Sequence, residues 1–94
     1  MRVHNMRLDV FLKTSRLVKR RSAAKELCDH GSVRVGGSPA KAGRELRPGD
    51  VITLSLRGRD LTVEAVEIPS GNVPKEMAAG IYRIIGDTPV SEDD

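Results

Sequence analysis

Six basic side chains, Lys13, Arg16, Lys19, Arg20, Arg21 and Lys25, fall between positions 13 and 25, a window that holds no acidic residue. A guanidinium presents paired N–H donors that match a phosphate, and an ammonium acts as a point charge. The chemistry of this window is therefore recognition of a polyanion. A charge run is most often a solvated helix face, but this density without intervening acids favours an anion-binding one. Arg16, Lys19, Arg20 and Arg21 also stand just before the second helix, whose N-terminus turns unpaired N–H groups and partial positive charge toward an anion. Arg7 lies two residues before Asp9 and reads either as a local ion pair, worth at most about 1 kcal/mol if exposed, or as a further anion contact. Asp9 itself reads as a group that orients an arginine. Arg34 and Lys41, on and after a hairpin strand, complete the candidate set.

The remaining reactive side chains do not assemble a catalytic or metal site. Cys28 is the one cysteine, so no internal disulfide or zinc cluster is expected, and it falls on an apolar helix face as a small core residue. His4 and His30 have no ligand-spaced partners. Gly36-Gly37 lacks the strand–loop–helix context of a phosphate cradle and reads as a turn. Asp50 follows Pro48-Gly49 and is a turn residue. With no nucleophile–base pair and no carboxylate dyad, the sequence predicts no enzyme, no cofactor and no metal.

Two short helices must position the cations. Leu8, Phe11 and Leu12 recur at helical spacing and predict a helix over 7–14, with Asn5 as its cap. Ser22 is expected to cap a second helix over 23–30, which Gly31 ends. Its apolar face carries Ala23, Ala24, Leu27 and Cys28, and the alanines imply a close approach of the two helices. From Ser32 the period changes to two. Val33 and Val35 form a strand, Gly36-Gly37 a two-residue hairpin turn, and Ser38–Ala40 the return. Val51–Leu56 and Leu61–Ile68 read as a longer hairpin, stopped by Pro69. Residues 70–74 read as loop, 74–79 as one short helix, Met77 and Ile81 as packing residues, and the end from Gly86 as frayed. Tyr82 is expected to pack the tail against the sheet. The fold class is α+β.

At 94 residues the chain is one domain. One Phe, one Tyr and no Trp leave an aliphatic core and too few rings for base-stacking platforms. The net charge of +3 divides unevenly: residues 1–50 carry 12 basic and 5 acidic residues, and residues 51–94 carry 4 and 8. One half attracts a polyanion and the other repels it. No apolar run approaches the ~18 residues of a membrane span, and the N-terminus lacks an apolar signal core, so the expected location is the cytoplasm.

The runs Met6–Leu27, Gly31–Gly37 and Leu46–Ile52 resemble, in order and spacing, the S4 RNA-binding domain. The resemblance implies a single small domain of that type, two helices in an L shape packed on a small twisted antiparallel sheet, with RNA along the helices. It assigns residues 6–69 to the domain, 1–5 to an extension or an early start codon, and 70–94 to a short C-terminal helix and tail. It also implies that Arg7, Lys13, Arg16, Lys19, Arg20, Arg21, Lys25, Arg34 and Lys41 are the RNA contacts. The whole chain is similar to free-standing members, the ribosome-associated quality-control P-site factors and the related heat-shock protein 15 family. The short acidic end and the Arg7-Leu8-Asp9 start are nearer the first. That likeness implies a monomer binding 23S-type rRNA of the large ribosomal subunit and peptidyl-tRNA, alongside the factor that recruits alanyl-tRNA, in support of alanine tailing. Alternatives are a recycling factor of the heat-shock protein 15 kind, an accessory module of an RNA-modifying enzyme, and a general polyanion or acidic-protein binder.

Overall fold

The change of period at Ser32 divides the molecule into a helical layer and a sheet. The computed structural model describes residues 6–69 and 73–89. In chain order the elements are β1 (Met6–Arg7), α1 (Leu8–Thr14), α2 (Arg21–Asp29), β2 (Val33–Val35), β3 (Ser38–Pro39), β4 (Glu45–Leu46), β5 (Val51–Leu56), β6 (Arg59–Ala65), a 3-10 helix (Lys75–Ile81) and β7 (Tyr82–Pro89). Five strands form one antiparallel sheet in the order β3-β2-β5-β6-β7, and β1 pairs separately with β4. The α+β class and the helices-on-sheet arrangement are as expected.

The core joins the two layers with aliphatic side chains and one ring. Leu8, Phe11 and Leu12 from α1 and Ala24 from α2 meet Val33, Ile52, Leu54 and Val63 from the sheet, all fully buried. Strand alternation sends Val33 and Val35 inward and leaves Arg34 on the opposite face. The hairpin glycines Gly36 and Gly37 take φ values of 62° and 88°, as a two-residue turn of this kind requires. Asp50 accepts the Arg47 N–H at 2.9 Å, the turn role expected of it.

The second helix starts elsewhere than expected, while the first begins at Leu8, within one residue of the expected start. The second helix begins at Arg21, with Arg20 extended in the capping position and its carbonyl accepting the Ala24 N–H at 3.0 Å. Ser22 therefore lies inside the first turn, exposed, and caps nothing. In α1 the first N–H groups are satisfied by tertiary contacts: Leu8 donates to the Arg44 carbonyl (2.8 Å), Asp9 to that of Ala42 (3.1 Å), and Val10 to the Asp9 carboxylate (2.9 Å). Asn5 and His4 lie outside the described residues.

The C-terminal region also departs from the sequence reading. The segment from Tyr82 to Pro89 is not frayed: it is β7, paired along the length of β6. Its pattern hid it, because Ile84 and Ile85 are both exposed and the register shifts between Thr62 and Val63. Such a bulge breaks the alternation that marks a strand, and a proline at the end of an edge strand carries no penalty. Tyr82, half-buried at its start, packs against the core as expected. Met77, however, is 62% exposed and packs on nothing like a core. The segment is a 3-10 helix, in which residues three apart share a face, so Ala78 and Ile81 are buried instead.

This packing predicts an uneven response to truncation in urea unfolding. Ile81→Ala should lose about 2–4 kcal/mol, and Met77→Ala less than about 0.5 kcal/mol. Similar losses for both would contradict the 3-10 assignment.

Candidate nucleic-acid interface

The helical layer is organised around one carboxylate. Asp9, in the first turn of α1, is 1% exposed. Its Oδ1 accepts Nε of Arg7 at 3.2 Å, and its Oδ2 accepts Nε of Arg21, twelve residues on, at 3.1 Å. Both arginines keep about half of their side-chain surface in solvent, 49% for Arg7 and 57% for Arg21. One negative charge thus orients two guanidiniums and leaves a net positive charge facing outward. Burial pushes the Asp9 carboxyl toward a higher pKa, but the hydrogen bonds and charges of Arg7 and Arg21 outweigh it and hold the group below its ordinary value. The alternatives posed for Arg7, ion pair or anion contact, are not exclusive in this geometry. Beneath its guanidinium lies Gly43, where a Cβ would come within 3.8 Å.

The link between the helices is built by Ser15, which is 2% exposed. Its hydroxyl donates to the Leu12 carbonyl at 3.2 Å and accepts the Leu17 N–H at 3.4 Å. The next residue, Arg16, takes a left-handed conformation at φ 64°. For a residue with a Cβ this costs roughly 1–2 kcal/mol. Lys13, Arg16 and Lys19 line one cleft at this elbow together with Thr14, Val18 and Val73. Lys13 follows Asp9 by four residues and so shares its side of α1. Among the described residues, Lys13, Arg16, Lys19 and Arg20 form no ion pair.

The other predicted contacts are placed less uniformly. Lys25 pairs with Asp29 at 3.6 Å along exposed α2, a contact of little energy that does not occlude the lysine. Lys41 belongs to the loop whose carbonyls cap α1, on the side of Arg7. Arg34 is not brought to the helices at all: it projects from the sheet face opposite the core. In the C-terminal half, Arg59 pairs with Asp87 and Arg83 with Glu64, so those cations are neutralised across β6 and β7. Cys28 is buried, and burial with the nearby Asp9 and Asp29 raises its pKa to about 11, as suits an inert core thiol.

Comparison with known proteins agrees with this geometry. The S4 domain family model matches residues 6–52, which contain both helices, the Asp9 cluster and the first strands. The chain is 40% identical to an RQC P-site tRNA stabilizing factor of Halalkalibacterium halodurans, over 95% of its own length and all of the relative's. The chain belongs to the S4-domain family, alongside these factors. A second factor of the same name, from Bacillus subtilis, is 41% identical over 93% of this chain and all of that protein. A trimeric structure of heat-shock protein 15 from Vibrio cholerae superposes with a TM-score of 0.77 at 28% identity, covering 86% of this chain and 82% of that one. The S4 fold expected from the sequence is therefore shown.

Sequence reasoning singled out none of three residues that lie around this cluster. Ser15 and Gly43 look like generic loop residues; the link that Ser15 builds depends on its burial, and Gly43 meets Arg7 only at ordinary contact distance. Arg44 is exposed beside the start of α1 and had the weak signal of lying near Lys41 in a basic loop.

The Asp9 geometry predicts a pH-dependent stability term. Its folded pKa is depressed, so its contribution is complete above the ordinary carboxylate value of 3.8 and is lost as pH falls through the lower folded value. Asp9→Asn should therefore destabilise the protein by about 1–2 kcal/mol near neutral pH. The difference between variant and wild type should begin to narrow as the pH falls below 3.8 and should close once it has passed through the lower folded value, read by chemical denaturation. A gap that persists unchanged into strong acid would refute the ionic origin.

Proposed function

We propose that this protein is a non-catalytic RNA-binding factor that acts on the large ribosomal subunit and holds tRNA there after translation has stalled. The observation that carries the reading is the pair Arg7 and Arg21, fixed by one buried carboxylate and continued by Lys13, Arg16, Lys19 and Arg20, which form no ion pair among the described residues. Fixed guanidiniums bind phosphate with less lost freedom than mobile ones, and counterion release supplies much of the affinity. The substrate class is supported by relatives that share nearly the whole length and are named as P-site tRNA stabilizing factors. On this reading the partners are 23S-type rRNA and peptidyl-tRNA, and the role is support of alanine tailing beside the factor that recruits alanyl-tRNA.

Within the chain, residues 6–69 form the RNA-binding unit. Lys25 and Lys41 extend its basic face, and Arg34 makes a separate contact from the sheet. A cytoplasmic location follows from the ribosomal partner; among the described residues no helix is long and apolar enough to cross a membrane. The likeness to heat-shock protein 15 supports a second reading, a recycling factor for stalled subunits, which uses the same interface.

Replacing Arg16, Arg20 and Arg21 together with Ala tests the interface, because Asp9 retains Arg7 as a partner. Circular dichroism should stay native while co-sedimentation with large subunits is lost. Retained co-sedimentation of the folded triple variant would overturn the reading.

A further inference from the structure

The two helices end in the same way on different residues. In α2 the chain closes with Gly31 N–H on the Cys28 carbonyl and Ser32 N–H on that of Leu27, and Gly31 takes φ 74°. This is the usual helix stop, with glycine where a left-handed residue is required. In α1 the corresponding position is Arg16, whose N–H reaches the Lys13 carbonyl at 3.0 Å with φ 64°. The following turn is one residue longer, with Val18 N–H on the Leu12 carbonyl at 3.0 Å. The fold thus accepts glycine at one stop and carries a long cationic side chain at the other, where backbone conformation opposes it. Strain of this sort is held where the side chain has work to do.

The surroundings indicate that work. Arg16 opens onto a cleft of about 390 Å³. That volume lies in the range of roughly 300–1,000 Å³ typical of small-molecule sites. Lys13 and Lys19 join Arg16 in its wall, Thr14 adds a hydroxyl, and Val18 and Val73 give it an apolar side; among the described residues no acidic one lines it. A lone phosphate would use the three cations and leave the apolar side, chiefly Val73 with the exposed edge of the core residue Val18, uncovered. A phosphate with an attached sugar and base uses both sides. A paired nucleotide cannot enter, because its base is held in the stack.

We propose that this cleft receives one unpaired nucleotide of the bound RNA, with its phosphate on Lys13, Arg16 and Lys19 and its sugar and base against Val18 and Val73. The inference rests on the RNA-binding reading and adds to it a preference for a bulged or looped nucleotide over continuous duplex. It is separate from the Arg7–Asp9–Arg21 grip, whose residues do not line this cleft.

The test compares the full chain with Arg16→Gly, using an RNA hairpin that carries a single bulged nucleotide and the same hairpin fully paired. Glycine relieves the left-handed strain, although its greater freedom in the unfolded chain offsets part of the gain. The melting temperature of the variant should accordingly be unchanged or higher. The wild type should favour the bulged hairpin about tenfold, and Arg16→Gly should bind both hairpins more weakly and lose that preference, the ratio of the two affinities being the readout. In two-dimensional NMR, adenosine 5′-monophosphate should shift the amides of residues 13–19 and Val73 in the wild type, and adenosine or inorganic phosphate alone should shift them less. Equal binding of both hairpins by the wild type, or an undiminished preference in Arg16→Gly, would overturn the cleft assignment while leaving RNA binding intact. Shifts from phosphate equal to those from the nucleotide would likewise reduce it to a simple anion site. Binding of neither hairpin by the wild type would instead strike at the RNA-binding reading itself.

Discussion

A carboxylate with 1% of its surface in water needs countercharge, and Asp9 finds it in two arginines from different parts of the chain. Neither arginine is itself buried, so the cluster avoids the heavy desolvation cost of a fully enclosed ion pair. The arrangement joins α1 to α2 at their N-terminal ends, while Ala24 allows the helices to approach and Ser15 completes the link at the far side. Position and charge are therefore set together. The same bond that fixes the angle between the helices fixes two phosphate-sized donors on their outer surface.

Charge is distributed accordingly over the rest of the molecule. Two of the four cations of the C-terminal half, Arg59 and Arg83, are absorbed in cross-strand pairs with Asp87 and Glu64, which stitch β7 to β6. Cations at the elbow have no such partners among the described residues. The densest group of cations therefore lies at the elbow of the two helices, on the scaffold of the S4 domain.

Local chemistry made much of the fold legible in advance. Val51–Leu56 appears with the bounds read from its alternation, and Gly36-Gly37 forms the turn that its residue types demand. Features that depend on tertiary context were not legible. The start of α2 at Arg21 reflects a contact with Asp9 across twelve residues, which no local rule encodes. β7 escaped because a bulge and two exposed isoleucines erase its period, and Met77 was misplaced because 3-10 and α-helical spacing differ by one residue. For the candidate site, charge density located the basic face, and family resemblance implied that the helices carry it. Neither showed that Arg34 lies on the opposite side of the sheet, nor that a single aspartate gathers Arg7 and Arg21.

If Asp9 acts as the organiser of the interface, holding Arg7 and Arg21 in place should matter more to binding than the one negative charge it adds. The decisive measurement is the affinity of folded Asp9→Asn for large ribosomal subunits at one fixed salt concentration. The substitution makes the protein more positive by one unit, so attraction by charge alone predicts tighter binding. Loss of the shared clamp predicts the reverse, a weakening of about tenfold from two arginines that must be ordered anew. Binding equal to or tighter than wild type would contradict the account.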